Sequence, residues 1–328
     1  MRRREFMTLL GGTAAAWPLA ARAQQTAMPV VALISARSRE TAVGLATEFR
    51  KGLSQTGRTD GQNVVVEDHW LEGHYERVPA LIDDFVRRNV AVIATPANSP
   101  ATLAAKAATS TIPIVFGVGE DPVELGLVAS LAKPGGNATG INFFASEIDA
   151  KRLGLMHEML PKANRVAVLI NPANTTTAQA TSKTLEQAAH VMGLELVFFQ
   201  ANSPPEIDAA FAAIGRERAD ALFIAPDAYF AARAVQLGTL ALRDRIPASA
   251  FSRENVEVGM LMSYGTSIAD VFRQVGIYAG SILNGTKPAE LPVLQSTKFE
   301  FIINLQTARS LGVDIPPTLL ARADEVIE

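Results

Sequence analysis

Val30-Val31-Ala32-Leu33-Ile34-Ser35 is an apolar run closed by a hydroxyl residue, and Val166-Ala167-Val168-Leu169-Ile170-Asn171 repeats that pattern 136 residues later. A short β-branched run ending in polar residues reads as a strand buried on both faces of a parallel sheet. Further landmarks recur around each copy. Gly61-Gln62-Asn63-Val64-Val65 is matched by Gly193-Leu194-Glu195-Leu196-Val197, Ala91 to Thr95 by Ala221 to Ala225, and Ile112-Pro113 by Ile246-Pro247, at offsets of 132, 130 and 134. Landmarks in one order at nearly constant spacing indicate an internal duplication whose insertions fall in loops.

Helical patterns separate the strands. Thr41 to Gln55 has apolar residues at helical spacing, Arg77 to Arg88 places Leu81, Ile82, Phe85 and Val86 on one face, and Pro100 to Thr109 forms a third helix. Strands are expected over Val64 to Glu67, Ala91 to Ala94 and Ile114 to Phe116, with Gly140 to Phe144 leading out. This alternation predicts an α/β protein with two Rossmann-like lobes built on parallel sheets. Beyond both copies come a helix from Ser267 to Leu283, a strand from Phe299 to Ile303 and a helix near Leu305 to Leu311. The chain therefore recrosses between lobes, and a multi-segment hinge is expected near Gly140 to Phe144, Phe251 to Tyr264 and Leu291 to Lys298. The first lobe is expected to comprise 28–142 plus about 265–292, and the second 143–264 plus about 293–328.

Residues 1–23 read as an export signal. Met1-Arg2-Arg3-Arg4-Glu5-Phe6-Met7 is followed by an uncharged stretch to Ala21-Arg22-Ala23, a small-x-small cleavage pattern, and Arg3-Arg4 before Phe6 fits the twin-arginine type. Among the 328 residues 48% are hydrophobic and 19% charged, and the mean hydropathy is +0.16, which excludes an extended disordered chain. No stretch after the signal approaches the length of a membrane span, so the mature chain is expected not to insert into a membrane. A net charge of −3 without a basic block argues against nucleic acid as a partner.

The absence of cysteine removes disulfides, thiolate catalysis and cysteine-ligated metal centres. No phosphate-binding glycine loop is present, and Gly117-Val118-Gly119 runs into Pro122 where a dinucleotide fingerprint needs a third glycine. A nucleophile elbow is also absent, and His69 and His74 lack the spacing of a zinc motif. No cofactor, metal or catalytic residue is therefore expected.

Binding chemistry instead gathers at the strand ends, where an open parallel sheet places its ligand crevice. The candidates in the first lobe are Ser35, Thr95, Asn98, Ser99, Gly117 and Asp121, with Asn142 where that lobe ends; Asn171, Asp227 and Tyr264 belong to the second. Free backbone N–H groups at the helix following Thr95 favour a ligand carboxylate. Asp227 on the opposite wall suits an ammonium, and Tyr264 with Phe143 supplies an aromatic wall. Each polar residue is also an ordinary helix cap, Asp227 included; the case for a site is the set facing across two lobes.

Thr111-Ile112-Pro113-Ile114-Val115-Phe116, Asp121-Pro122-Val123, Gly126-Leu127-Val128-Ala129-Ser130-Leu131 and Pro134-Gly135-Gly136-Asn137-Ala138-Thr139-Gly140 resemble the ABC transporter substrate-binding proteins of the tryptophan/tyrosine type. Leu261-Met262-Ser263-Tyr264-Gly265, Lys298-Phe299-Glu300, Ile303-Asn304-Leu305 and the closing Ala321-Arg322-Ala323-Asp324-Glu325-Val326-Ile327 continue that resemblance. It implies a type I periplasmic binding protein, monomeric and periplasmic, with a three-stranded hinge. Such a protein traps a small carboxylate-bearing ligand, an amino acid and in some relatives an aromatic one, and passes it to an ABC permease and its ATPase. Ala36-Arg37-Ser38-Arg39 departs from the serine- and glycine-rich loop usual there and leaves room for an acidic or aromatic carboxylate. The alternatives are a sensor that reports ligand to a membrane receptor, or an enzyme on the same scaffold. The enzyme would need a nucleophile or a base and orienter that the residues do not assemble.

Overall fold

The computed structural model describes residues 28–328; the expected export signal lies outside the described residues. In the first lobe, β1 (Val30–Ser35), β2 (Val65–Trp70), β3 (Val92–Thr95), β4 (Ile114–Val118) and β5 (Ala138–Asn142) pair in the order β2-β1-β3-β4-β5. Every pairing is parallel. In the second lobe, β6 (Arg165–Ile170), β7 (Glu195–Gln200), β8 (Ala221–Ile224), β9 (Ala248–Ala250) and β10 (Met262–Thr266) pair as β7-β6-β8-β9-β10. The two orders are identical, the topological form of the duplication read from the landmarks. β3 and β4 are buried at every position, as strands covered on both faces must be.

Helices follow the strands. α1 (Arg39–Ser54), α2 (Val78–Arg88) and α3 (Ser99–Ala108) cover the first sheet; α4 (Ala145–Met159), α5 (Thr175–Met192), α6 (Pro204–Glu217), α7 (Ala228–Ala232), α8 (Ala234–Arg243) and α9 (Arg253–Glu257) belong to the second. α10 (Ile268–Leu283) then returns to the first lobe, where Val271, Phe272 and Val275 join one core with Phe49, Leu53, Val31 and Leu33.

The chain passes between lobes at Asn142–Ala145, Thr266–Ile268 and Gln295–Phe299, and hydrogen bonds tie these segments together. Thr266 Oγ1 donates to the Phe143 carbonyl at 2.9 Å, and the Ser296 N–H donates to the Asn142 carbonyl at 2.9 Å. One hinge expectation shifts. Phe251 to Tyr264 is not a crossing, because β10 pairs with β9 on one side and antiparallel with β12 (Phe299–Asn304) on the other, which keeps the chain in the second lobe through Thr266. Near the third crossing, β11 (Leu294–Gln295) adds to β5, so the chain leaves the first sheet after Gln295. β13 (Glu325–Ile327) closes the second sheet beyond β12; α11 (Leu305–Leu311) and α12 (Pro317–Leu320) lie between them.

Candidate functional site

The carboxyl ends of both parallel sheets face one cavity. β1 contributes Ser35 and the loop with Ala36 and Arg37, and the turn after β3 brings Pro96, Ala97 and Ser99. The loop after β4 brings Gly119 and Glu120. From the second lobe come Asn174, Thr177, Pro226, Asp227, Ser252 and Asn255. The apolar wall consists of Phe143, Phe230, Phe251 and Phe272, with Phe143 and Phe251 tilted against each other at a centroid separation of 6.2 Å. Large apolar walls with a few placed polar groups are the usual make-up of a small-molecule site.

Asp227 is half-buried and caps α7. Its Oδ1 accepts from the Tyr229 N–H and Asn171 Nδ2, both at 2.9 Å; its Oδ2 accepts from Asn174 Nδ2 at 2.9 Å and from the Tyr75 hydroxyl at 3.3 Å. Burial raises its pKa, and the Asn171, Asn174, Tyr229 and Tyr75 donors pull it back. Tyr75 belongs to the first lobe, so this contact bridges the lobes. Burial, reinforced by the Asp227 charge, holds the Tyr75 phenol well above the ordinary tyrosine value and keeps it a donor.

Glu120 makes the second bridge. Its Oε2 accepts from Ser99 Oγ at 2.5 Å within the first lobe, and its Oε1 accepts from Thr177 Oγ1 of the second lobe at 2.6 Å. Glu120 is buried, and no described cation lies within ion-pair distance of it. Its position beside Ser99 puts a carboxylate at the amino end of α3, where a ligand carboxylate had been expected; like charges disfavour a second one there. With bridges at Glu120 and Tyr75, the cleft stands closed.

The ten predicted residues divide accordingly. Ser35, Ser99 and Asp227 line the cavity. Asn171 stands behind Asp227 as its donor, and its own Oδ1 accepts from the Ala173 N–H. Thr95 and Asn98 are buried behind the wall. Thr95 Oγ1 pairs with Thr102 Oγ1, and Asn98 Oδ1 caps α3 through the Ala101 N–H. Gly117 serves packing, since a Cβ there would come within 2.8 Å of Val271 Cγ1. Asp121 closes a turn through the Val123 N–H, and Asn142 orders the first crossing through the Phe144 N–H. Tyr264 lies among Phe299 and Phe301 in the second lobe's own core and does not reach the cleft. The aromatic wall is instead made by four phenylalanines, of which sequence reasoning singled out Phe143 alone. Glu120 lies between Gly117-Val118-Gly119 and Asp121, and Asn174 lies three residues after Asn171, whereas Tyr75 and Thr177 carried no local signal.

Comparisons with known proteins agree with this architecture. The family described as "ABC transporter substrate binding protein" matches residues 28–327. The Tyrosine-binding protein of Clostridioides difficile (strain R20291) is 28% identical over 269 residues, covering 81% of this chain and 75% of that protein. A crystal structure of a conserved domain protein from Vibrio cholerae has a TM-score of 0.82 at 27% identity, covering 92% of this chain and all of that one. An ABC domain in complex with L-Trp from Streptococcus pneumoniae has a TM-score of 0.81 at 24% identity, with 92% of this chain and 100% of that one covered.

Proposed function

The chain belongs to the family of ABC transporter substrate-binding proteins, and we propose that the small ligand it captures is an amino acid. On this reading the ammonium rests on Glu120 and an apolar or aromatic side chain lies among Phe143, Phe230, Phe251 and Phe272. The observation that carries the reading is Glu120, a buried carboxylate in the cleft with two hydroxyl donors and no counter-ion among the described residues. A buried charge is costly unless paired, and a ligand ammonium completes this one. Asp227, which sequence reasoning favoured for the ammonium, already takes four donors and serves to hold its strand end and the facing lobe. The names of relatives that bind tyrosine or L-Trp support the ligand class.

The protein then works by binding without turnover, delivering its ligand to an ABC permease and ATPase from the periplasm. Residues 1–23 support export by the twin-arginine route; replacing Arg3 and Arg4 together with lysine should leave the chain in the cytoplasm on fractionation. The ligand assignment is tested by calorimetry of the mature protein against the common amino acids, aromatic ones included. Glu120→Gln keeps the shape and removes the charge, so affinity should fall by about 1.5–3 kcal/mol, the scale of a charge-assisted hydrogen bond. Undiminished affinity in that variant would place the ammonium elsewhere.

A further inference from the structure

We propose that Arg37 of the first lobe, with Ser252 and Asn255 of the second, forms an acid-recognition subsite that makes a carboxylate on the ligand a condition of tight binding. The inference rests on the reading of the cleft as the ligand site. Arg37 lines the cavity and is half-buried, yet its guanidinium makes no hydrogen bond or ion pair with any described residue; only its backbone is used, the N–H donating to Ser35 Oγ at 3.3 Å and the carbonyl accepting from the Glu72 N–H at 3.4 Å. Across the cleft Asn255 is 4% exposed, and its Oδ1 is taken by Ser252 Oγ at 2.8 Å, which leaves the Nδ2 hydrogens without an acceptor among the described residues. Donors therefore converge on one cavity from both lobes, and no described acceptor is paired with them.

The acids that face Arg37 are Glu254 and Asp227, and neither pairs with it. Glu254 is exposed, and the oxygens of Asp227 are filled. Burial pulls the guanidinium below the ordinary arginine value while those two charges pull it back, so it remains a cation held partly out of water without a partner. A carboxylate matches the planar donor fork of arginine and can take the Asn255 amide hydrogens as well. A dianion such as phosphate is disfavoured, because Glu120 and Asp227 share the cavity and would repel it. Since the donors come from opposite lobes, a ligand acid also joins them and favours closure.

The test is calorimetry of the mature protein with L-tyrosine, L-tryptophan, benzoate and phenylacetate, each beside its primary amide, and with tyramine and tryptamine. Melting curves verify that each variant folds. The wild type should bind the preferred acid at least about tenfold tighter than its amide, and Arg37→Met should bring that ratio close to one by weakening the acid alone. Arg37→Lys, which keeps the charge and loses the fork, should fall between them, and Asn255→Leu should weaken the acid more than the amide. A wild-type acid-to-amide ratio retained in Arg37→Met overturns the subsite. If only acids without an amino group bind, and do so through Arg37, the amino-acid reading fails while the subsite stands. If tyramine or tryptamine binds as tightly as its parent acid, or no acid binds at all, the subsite is wrong.

Discussion

Asp149 and Arg152 stand one turn apart on α4 with no exposed side-chain surface, joined by Arg152 Nη2 to Asp149 Oδ1 at 3.1 Å. Thr181 Oγ1 donates to the other carboxylate oxygen, Arg152 also donates to the Ile224 carbonyl, and the guanidinium lies 3.9 Å from the Phe223 ring centroid. Nε and Nη1 of Arg152 nevertheless have no partner among the described residues. The spacing is that of the exposed Asp84–Arg87 pair, so local sequence does not distinguish a solvated pair from a buried one. Desolvation outweighs pairing, and burial lifts the Asp149 carboxyl from 3.8 to about 6. Because that folded-state value lies above the unfolded one, this group's stabilisation is full below 3.8 and is lost as the pH rises through about 6. Arg152→Met should cost about 3–5 kcal/mol by leaving the Asp149 carboxylate buried without its cation, whereas Asp149→Leu with Arg152→Met should be nearly neutral. Urea midpoints measured from pH 4 to 7 should also show the double variant without the wild type's decline over that range. Equal destabilisation by the single and double changes would contradict this account.

At the scale of elements, the packing of α10 on α1 depends on glycines inside helices, where glycine ordinarily costs about 1 kcal/mol against alanine. A Cβ at Gly276 would lie 2.1 Å from the Phe49 carbonyl oxygen, and one at Gly52 would lie 1.9 Å from that of Arg273. The backbones approach too closely for any side chain. Gly276→Ala should therefore lower stability by roughly 1–3 kcal/mol despite alanine's better helix propensity, because the two helices must separate. Gly44 on the exposed face of α1 has nothing within 4 Å of its Cβ position, so Gly44→Ala should gain about 0.5–1 kcal/mol. Thermal melts of the pair check the argument, and shifts of the same sign would defeat it. The helices themselves were legible from their periodicity. Which glycine meets a neighbouring backbone was not, since that depends on how α10 returns to a lobe formed more than a hundred residues earlier.

Across the whole molecule, closure rests on few contacts. The Tyr75 hydroxyl to Asp227 and Thr177 to Glu120 join the lobes, and Gly73, with φ of +82°, lets the loop before Tyr75 approach Tyr229 so closely that a Cβ would come within 3.1 Å of that ring. Tyr75 is not among the residues lining the cavity. Tyr75→Phe should thus weaken ligand binding without removing a ligand contact, by about 1 kcal/mol, while shifting the ligand-free protein toward an expanded form in small-angle scattering. An unchanged radius of gyration together with unchanged affinity would show that this bond does not set the equilibrium.

The sequence alone determined the α/β class, the duplication and the place of the site at the strand ends, because β-branched runs, helical periodicity and helix caps act over a few neighbouring residues. It could not determine which strand-end residues meet a ligand. Side-chain direction in the bend after β4 is set by the folded backbone and not by a local period, so Glu120 enters the cleft while the adjacent Asp121 closes a turn. Tyr75 and Thr177 reach their partners only when one lobe folds against the other, and Arg37 is recognisable as an unpaired cation only once the carboxylates around it are placed. Local patterns choose the elements; direction, pairing and burial of charge are properties of the packed molecule, and the tertiary structure alone decided them.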